Sequence, residues 1–345
     1  MSSWTSNAII TKAKAIYGNR LKEEDYKELV KKKSVSDIVR YLKSNENYKE
    51  LLEDIQDSTV HRGQLEEMIK KTIFNSTLKL VKFIEMKDKE FYELNLNQRE
   101  IDLILATIRA IISDSSKEVI SEFPTFFIRH AHFDIYNLTK SKTYQEMLDS
   151  LVGTIYYDKL IPFYEKDAKN IKYPEIEQTL DHCYYECVFR IISENYKGKL
   201  KRDLENIFIT KIELTNIIKI YRLKKFYQSD VDAIKKTLIT KYSRISEKKI
   251  NEIAELKDAD MVLSFLEKSE YSKFLDEDDY VFIEYYAEKI KYNLAKRYMY
   301  FSSDAPTVYS SFLILNEIER ENLFNIIEGI RYNLDESEIE KMLIY

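Results

Sequence analysis

The chain has 345 residues, of which 44% are hydrophobic and 33% are charged, and its formal net charge is −5. This length and composition are typical of a folded protein with two or three domains, and they fit a folded chain better than a disordered one. Lysine and arginine are mixed with aspartate and glutamate along the whole length. Because nucleic-acid binding needs a concentrated basic surface, a nucleic-acid partner is not expected.

No stretch of about 18 residues is apolar and uncharged, so no transmembrane helix is predicted. The N-terminal segment lacks the charged and apolar regions of a secretory signal. The chain has 2 cysteines, Cys183 and Cys187, which suits a reducing compartment better than a disulfide framework. We therefore expect a cytoplasmic protein.

Long helices are the expected structure, because the chain has only 5 glycines and 4 prolines. All-β and doubly wound α/β folds use many more of these residues in their turns. In the segments 100–112, 213–227 and 323–330, apolar residues recur with the i, i+3, i+4, i+7 spacing of one helix face. The prolines are expected at helix ends, and they are Pro124, Pro162, Pro174 and Pro306.

Capping signals predict several helix ends in chain order. Lysines 31–33 suit a helix C-terminus, where cations favour the helix dipole. Ser34 then follows as the N-cap of the next helix, and Ser141 is the predicted N-cap ahead of Glu146. The acidic run Asp276–Asp279 suits the N-terminus of a later helix.

One apolar block occurs three times along the chain. Each copy has an acidic residue, a set of apolar residues, and a tyrosine 11 positions after the acid. The acids are Asp37, Glu146 and Asp260, and the tyrosines are Tyr48, Tyr157 and Tyr271. The acids lie 109 and 114 positions apart (37 to 146 and 146 to 260), which indicates an internal repeat.

A second motif repeats with a similar period, its glutamates lying 113 and 106 positions apart (100 to 213 and 213 to 319). It has a glutamate, an asparagine three positions later and an arginine nine positions later. The residues that match it are Glu100 and Arg109, then Glu213, Asn216 and Arg222, then Glu319 and Asn322. The match is incomplete, because Leu103 replaces the first asparagine and Glu328 replaces the last arginine.

The two repeats predict an all-α protein of three similar modules, residues 1–95, 96–205 and 206–345. The chain begins partway through the first module, so the C-terminal segment is expected to complete it. Cut ends of this kind are expected when three units close around a common axis, with pseudo-threefold symmetry. The alternative is that amphipathic helices of similar length match by chance.

Motifs for nucleotide chemistry are not found in the sequence. The glycines are isolated and no phosphate-binding loop occurs, so ATP hydrolysis through such a loop is not expected. The run Asp276–Asp279 allows comparison with helical terpenoid synthases, which hold magnesium diphosphate with aspartate-rich motifs. Here the spacing is wrong and no second motif follows, so that activity is not expected.

Metal binding has two weak candidates. His130 and His132, with Asp134, would approach a metal on an extended chain, but on a helix positions i and i+2 point apart. His182 with Cys183 and Cys187 lacks a fourth ligand, and buried thiols are the other interpretation. No catalytic residue, cofactor or metal is therefore predicted. The 27 tyrosines suit either a protein interface or the edge of a helical core.

The order of these motifs resembles the C subunit of the archaeal-type rotary V/A-ATPases, the relative of the d subunit in vacuolar ATPases. The resemblance extends over nearly the whole chain, although each motif alone is loose. The residues that carry it are Tyr17, Arg20, Leu21, Tyr26 and Leu29, then Leu180, Asp181, Tyr184 and Tyr185, then Glu213, Asn216, Ile217 and Arg222, and finally residues 317–323 with Ile326. The chain departs from the family at Leu103 and in keeping only Gly329 near its C-terminus.

The resemblance implies a funnel-like, non-catalytic component without cofactors, peripheral to the cytoplasmic face of the membrane. Such a component links the central stalk (the D and F subunits) to the membrane rotor ring and transmits torque for ATP-coupled proton or sodium transport. The alternative is a helical scaffold or adaptor unrelated to rotary ATPases.

Overall fold

The computed structural model describes residues 3–53, 55–57, 60–82, 89–115, 131–275 and 282–345. Within these ranges the chain forms helices and no β-strand, so the all-α prediction is confirmed. In the same part of the chain, no helix is both long enough and apolar enough to cross a membrane. Pro124, His130 and the run Asp276–Asp279 lie outside the described residues.

The described α-helices are numbered here in chain order. They are α1 (Ser3–Gly18), α2 (Glu23–Leu29), α3 (Val35–Leu42), α4 (Lys49–Leu52), α5 (Arg62–Val81), α6 (Lys89–Ser113), α7 (Ile135–Lys140), α8 (Tyr144–Ser150), α9 (Ile155–Leu160), α10 (Tyr173–Asn195), α11 (Gly198–Tyr227), α12 (Val231–Lys235), α13 (Glu247–Ala254), α14 (Ala259–Lys268), α15 (Ile283–Phe301), α16 (Ala305–Arg331) and α17 (Glu336–Glu340). Short 3₁₀ helices lie at Ile161–Phe163, Ala168–Asn170 and Glu270–Phe274.

The chain divides into two compact units, each assembled from segments that are distant in sequence. The first unit contains Met1–Asp88, Lys197–Gln228 and Glu255–Tyr345, and the second contains Lys89–Tyr196 and Ser229–Ala254. These boundaries are not those of the predicted modules 1–95, 96–205 and 206–345. The three-module division therefore stays a prediction.

Three long helices carry the motif glutamates, and we call α6, α11 and α16 the glutamate helices. Each follows another long helix in the chain, and we call α5, α10 and α15 the leading helices. In the second unit α6 packs against α10, and in the first unit α11 packs against α15 and α16 packs against α5. Each glutamate helix thus contacts the leading helix that comes next in the chain, and the last one returns to the first.

The two ends of the chain share one hydrophobic core in the first unit. The predicted apolar face of α16 supplies Leu323, Ile326 and Ile327, all 0% exposed, because i, i+3, i+4 spacing places them on one side. The buried residues that meet them from the N-terminal helices are Leu21, Tyr26, Leu29, Val30, Ile38, Val39, Leu42, Tyr48, Leu52, Val60, Leu65, Ile69 and Ile73. The C-terminal segment is therefore part of the N-terminal core.

The last residues are also tied to this core. Gly329 in α16 lets α17 approach closely, since a methyl group there would lie 2.5 Å from Ile339 Cγ1. The Tyr345 ring stacks on the Tyr26 ring with centroids 5.3 Å apart. Asn325 donates a hydrogen bond of 2.9 Å to the Met342 carbonyl.

Capping explains where several helices begin. The Ser34 hydroxyl accepts a hydrogen bond from the Asp37 backbone N–H, so the predicted N-cap of α3 is confirmed. The prediction of Ser141 as an N-cap is wrong, because Thr143 caps α8 and Ser141 ends α7. Pro174 and Pro306 lie in the first turns of α10 and α16, where a missing N–H costs nothing.

All three glutamate helices end at a residue in the left-handed region, and none of these residues is glycine. Asp114 follows α6 with φ 54°, Gln228 follows α11 with φ 48°, and Asn333 lies just beyond α16 with φ 54°. The next N–H groups satisfy free carbonyls, as in the 3.0 Å bond from Ser115 to Ala110 and the 2.9 Å bond from Leu334 to Gly329. Gln228 bears the largest conformational cost, because asparagine and aspartate tolerate this region better than glutamine.

We expect Gln228→Gly to raise the free energy of unfolding by about 0.5–1 kcal/mol, since glycine has no Cβ to oppose a positive φ. Gln228→Ala is the matched control, because alanine keeps the Cβ and should bring no gain. Chemical denaturation of the three proteins would check this. Equal stability of the glycine and alanine variants would show that the left-handed cap is not under strain.

Candidate functional site

The motif glutamates lie in the middle of their helices, on the sides that face the protein interior. Glu100 in α6 is 0% exposed and Glu213 in α11 is 1% exposed. Glu319 in α16 is partly buried. A buried carboxylate is costly unless hydrogen-bond donors surround it, so each of these side chains must be satisfied by its neighbours.

A tyrosine from the repeated apolar block supplies a donor to each glutamate. The Tyr48 hydroxyl donates to Glu319 Oε1 at 2.7 Å, and the Tyr271 hydroxyl donates to Glu213 Oε2. The third bond runs to Glu100 Oε2 at 2.8 Å, and its donor is Tyr156. The structure therefore brings together the two repeats that the sequence identified separately.

The donor to Glu100 is thus Tyr156, the neighbour of Tyr157, which the spacing assigns to the repeat. Tyr156 is 2% exposed, whereas Tyr157 is only partly buried. The bonding tyrosine follows the acid by 11 positions in the first and third blocks (37 to 48 and 260 to 271) and by 10 in the second (146 to 156). A fixed spacing of 11 therefore selects its neighbour in the second block.

Burial keeps these phenols protonated and able to donate. The pKa of Tyr48 is raised well above its usual value, first by burial and then by the charge of Glu319. The pKa of Tyr156 is also raised, by burial and by the charge of Glu100. Tyr48 and Tyr156 are therefore permanent donors to their carboxylates at physiological pH.

Glu100 has additional donors from the segment just before α7. The backbone N–H of His132 donates to Glu100 Oε1 at 2.6 Å, and its ring Nδ1 lies 3.0 Å from the same oxygen. His132 is a candidate metal ligand in the sequence, but here it positions a carboxylate. Asp134, from the same candidate group, caps α7 through the N–H groups of Tyr136 and Asn137.

In the second metal candidate, Arg190 Nη2 donates to Cys187 Sγ at 3.9 Å. Cys183 and Cys187 are free thiols, both partly buried, and burial raises the pKa of Cys183. Across the described residues, no group of three histidine, cysteine, aspartate or glutamate side chains is arranged to hold a metal ion.

Glu319 connects three separate parts of the first unit. Its Oε2 accepts a 3.1 Å hydrogen bond from the Leu21 backbone N–H, while Oε1 accepts from Tyr48. The residue keeps some solvent contact, but its carboxyl group is enclosed by protein atoms. This desolvation raises the pKa of Glu319 to about 7, although the two hydrogen bonds and Arg20 oppose the shift.

The arginine position of the motif makes a second contact between helices. Arg109 in α6 donates to the hydroxyl of Tyr173, the first residue of α10. Arg222 in α11 lies 3.3 Å from Glu284, the second residue of α15. Each arginine therefore meets the first turn of the leading helix against which its own helix packs.

The third copy preserves this contact with the charges exchanged. Glu328 in α16 is paired with Arg62, the first residue of α5. Judged by the motif alone, Glu328 is a weak match, because the motif considers only the type of residue at that one position. The compensating residue lies 266 positions earlier (328 − 62), which no local motif reveals.

The asparagine position has a clear role in the third copy. Asn322 donates to the Ile344 carbonyl at 2.7 Å and accepts from the Ile344 N–H at 2.9 Å. This pair of bonds, from one side-chain amide to the backbone of one residue, holds the C-terminal segment against α16. Asn216 is buried in α11 at 2% exposure, and Leu103 fills the equivalent place in α6 at 0%.

The polar residues of the motif make contacts within the protein. The candidate site is therefore a set of contacts between helices. Carboxylates, phenols and amides of the motif bond to one another or to nearby backbone.

Residues 9–342 match the family described as ATP synthase (C/AC39) subunit, and the chain belongs to this family. The resemblance found in the sequence motifs is thereby confirmed. The match covers α6, α11 and α16 together with all three glutamates.

Three relatives each carry the name of the C subunit of an A-type ATP synthase. The protein of Methanococcoides burtonii is 21% identical over 342 residues, covering 97% of this chain and 93% of that protein. The protein of Methanosphaera stadtmanae is 23% identical over 346 residues, covering 96% and 86%. The match to the protein of Methanosarcina mazei is 24% identical over 216 residues and spans 63% of this chain and 58% of that protein.

The shifted pKa of Glu319 predicts a pH dependence of stability. Between its ordinary value of 4.5 and about 7, the folded state keeps the proton that the unfolded state releases. The contribution of Glu319 to the free energy of unfolding should therefore fall as the pH rises through this window, by at most about 1.4 kcal/mol per pH unit. Glu319→Gln should remove this part of the slope.

Denaturation of both proteins from about pH 4.5 to about pH 8 would check the difference in slope. Glu317→Gln is the matched control, because Glu317 is on the same helix with its side chain 45% exposed. Parallel profiles for the wild type and Glu319→Gln would contradict the shifted pKa.

Proposed function

We propose that this chain is a non-catalytic rotor component in the central stalk of a V/A-type ATPase. It links the central shaft, made of the D and F subunits, to the membrane rotor ring. It thereby transmits torque that couples ATP turnover to proton or sodium transport. The observation that carries the proposal is the family match over residues 9–342, supported by relatives named as C subunits of A-type ATP synthases.

Three helical modules with pseudo-threefold symmetry are part of this proposal. Its support is that three features recur on α6, α11 and α16: the glutamate–tyrosine bond, the contact with a leading helix, and the left-handed end. A threefold set of similar modules suits a part that is seated on a ring and turns with a shaft.

The mechanical requirement explains why buried polar bonds are useful in such a part. A coupling component must resist relative sliding of its helices, and packed apolar side chains alone allow some rotation and slippage. A hydrogen bond to a carboxylate is directional and stronger than one between neutral groups. Each glutamate–tyrosine bond therefore fixes the register between a glutamate helix and the short helices beside it.

The location follows from the same proposal. The protein would lie at the cytoplasmic face of the membrane as a peripheral component, in contact with the ring and without crossing the bilayer. Ion specificity would then be a property of the ring.

Purification of a tagged chain from native membranes tests the proposed partners. The shaft proteins and the ring protein should elute with it in detergent, because the proposed role requires contact with both. A matched purification of an unrelated tagged helical protein controls for membrane carry-over. Recovery of the chain with neither shaft nor ring would contradict the proposal and favour the scaffold alternative.

Transport by membrane vesicles tests the coupling role directly. Vesicles depleted of this chain should lose ATP-driven ion transport, while the detached soluble head should retain ATP hydrolysis. Addition of the purified chain should restore transport, and the chain alone should not hydrolyse ATP. Ion transport that persists without the chain would refute the torque-transmitting role.

A further inference from the structure

Two aromatic side chains are exposed where α15 ends in the first unit. Phe301, the last residue of α15, is 83% exposed, and Tyr300 before it is 53% exposed. Among the large hydrophobic side chains that the structure describes, Phe301 is the most exposed. A single ring in water is ordinary on a protein surface, so its surroundings decide whether it has a role.

The start of α11 lies beside this end of α15. Asn206 donates a 3.0 Å hydrogen bond to the Tyr298 hydroxyl, and Arg222 lies 3.3 Å from Glu284. The two helices are therefore antiparallel, because the contact moves forward along α11 as it moves back along α15. The first turn of α11, which precedes Asn206, is thus level with the last residues of α15.

Four cationic side chains surround the exposed rings. They are exposed and make no ion pair or hydrogen bond with the described residues, and they are Lys197, Lys199, Arg202 and Arg297. Arg297 lies one turn before Phe301 on the same face of α15, and Arg202 lies one turn before Asn206 on the face of α11 that meets α15. We call these four cations, with Tyr300 and Phe301, the basic–aromatic end.

Acidic side chains are fewer in this region, and two of them have partners. Segments 197–206 and 296–305 contain six cations and three acids, although the chain as a whole has a net charge of −5. Asp203 accepts a hydrogen bond from the Tyr298 hydroxyl at 3.5 Å, and Glu205 lies 3.7 Å from Lys201. The third acid is Asp304, at the N-cap of α16. The basic–aromatic end therefore has a local excess of positive charge.

The opposite end of the same two helices provides an internal comparison. It also exposes an aromatic ring, since Phe226 is 60% exposed near the end of α11. Its cations are paired with acids, because Arg222 lies 3.3 Å from Glu284 and Lys225 lies 3.5 Å from Asp260. Unpaired cations beside an exposed ring therefore distinguish the basic–aromatic end.

The cations at the start of α11 are unfavourable for that helix taken alone. Its first turn contains no acidic residue, and Lys197 at the N-cap makes no side-chain capping bond. Positive charges at a helix N-terminus oppose the helix dipole, and they also repel one another. Local helix stability therefore does not explain these residues, whereas a layer of external anions would offset both costs.

We propose that the basic–aromatic end docks on the surface of a bilayer that contains anionic lipids. The Phe301 ring enters the boundary between headgroups and acyl chains, and Tyr300, with an apolar ring and a polar hydroxyl, lies at the headgroup level. The four cations lie against lipid phosphates, whose negative surface potential attracts basic residues. A bilayer accepts the ring and the charges together, whereas an acidic protein face accommodates only the charges.

Co-sedimentation of the full chain with lipid vesicles tests this surface. The vesicles contain neither shaft nor ring protein, so the outcome is independent of the proposed function. Vesicles of phosphatidylcholine and phosphatidylglycerol in equal amounts should bind the chain about tenfold or more tightly than vesicles of phosphatidylcholine alone. Binding to the mixed vesicles should be lost in about 1 M salt, since charges are then screened beyond about 3 Å.

Matched variants at the two ends of α11 locate the contact. Lys199→Gln/Arg202→Gln should weaken binding to the mixed vesicles roughly 25-fold, because each cation close to the membrane surface contributes about fivefold. Arg222→Gln/Lys225→Gln removes the same charge from the opposite end and should leave binding nearly unchanged. Circular dichroism and thermal melting confirm that each variant is folded.

The exposed ring has its own test. The sequence has one tryptophan, Trp4, so Phe301→Trp in a Trp4→Phe background reports on this position alone. Its emission should shift to shorter wavelength with the mixed vesicles and should be quenched by brominated lipid, because the ring enters the bilayer boundary. Phe226→Trp in the same background is the control and should show neither change.

Four results would overturn the proposal. These are no binding to the mixed vesicles, equal binding to both kinds of vesicle, equal losses in the two double variants, and the same emission from the tryptophans at positions 301 and 226. Binding to polyglutamate without binding to the mixed vesicles would assign the cations to an acidic protein partner and reject the membrane. The salt and lipid dependence of the wild type decides the question even if a variant fails to fold.

Discussion

The hydrogen bond between a buried glutamate and a tyrosine is the constraint on which the rest of the structure depends. A carboxylate in the interior of a long helix is tolerated only where donors face it, and here a phenol at 2.7–2.8 Å meets this need at Glu319 and Glu100. The short helices that carry the tyrosine must therefore stay beside the glutamate helix. Apolar burial supplies most of the stabilisation, but it is not directional, and the carboxylate fixes the register in which that burial occurs.

The three glutamates share this bond and differ in what else they hold. Glu100 gathers the backbone and ring of His132, and Glu319 gathers the backbone of Leu21 from the other end of the chain. The bonds of Glu319 join the N-terminal and C-terminal segments. The pKa of Glu319, near 7, shows that the desolvation of its carboxyl group outweighs its two hydrogen bonds. Protonation of Glu319 therefore stabilises the folded state relative to the unfolded one by removing the desolvation cost, although the two hydrogen bonds themselves are stronger to the carboxylate.

The sequence predicts the helical class and the long helices well, because apolar periodicity is a local signal, and the repeated acid draws attention to the glutamates that the structure buries. The sequence predicts the positions of individual residues less well where the chain leaves a helix. Spacing selects Tyr157 in place of Tyr156 because the connection between the acid and the bonding tyrosine is one residue shorter in the second block than in the other two, and a fixed spacing cannot register that change. Thr143 caps α8 in place of Ser141 for a related reason, since two candidate hydroxyls lie close together. The motif undervalues Glu328 because its partner Arg62 is distant in sequence, and complementarity between distant residues is not visible in one motif.

A protein that transmits force gains from fastening its first and last segments into one core. In the first unit, sliding α16 past the N-terminal helices would expose Leu323, Ile326 and Ile327, and it would also break the bonds of Glu319 and Asn322. These losses occur together, because the apolar and polar contacts alternate along the same helix. A load on the C-terminal segment is therefore shared with the N-terminal core and does not unravel the chain from its end. The same alternation on α6 and α11 gives the glutamate helices a common resistance to sliding, and this is the physical property that the proposed torque transmission requires.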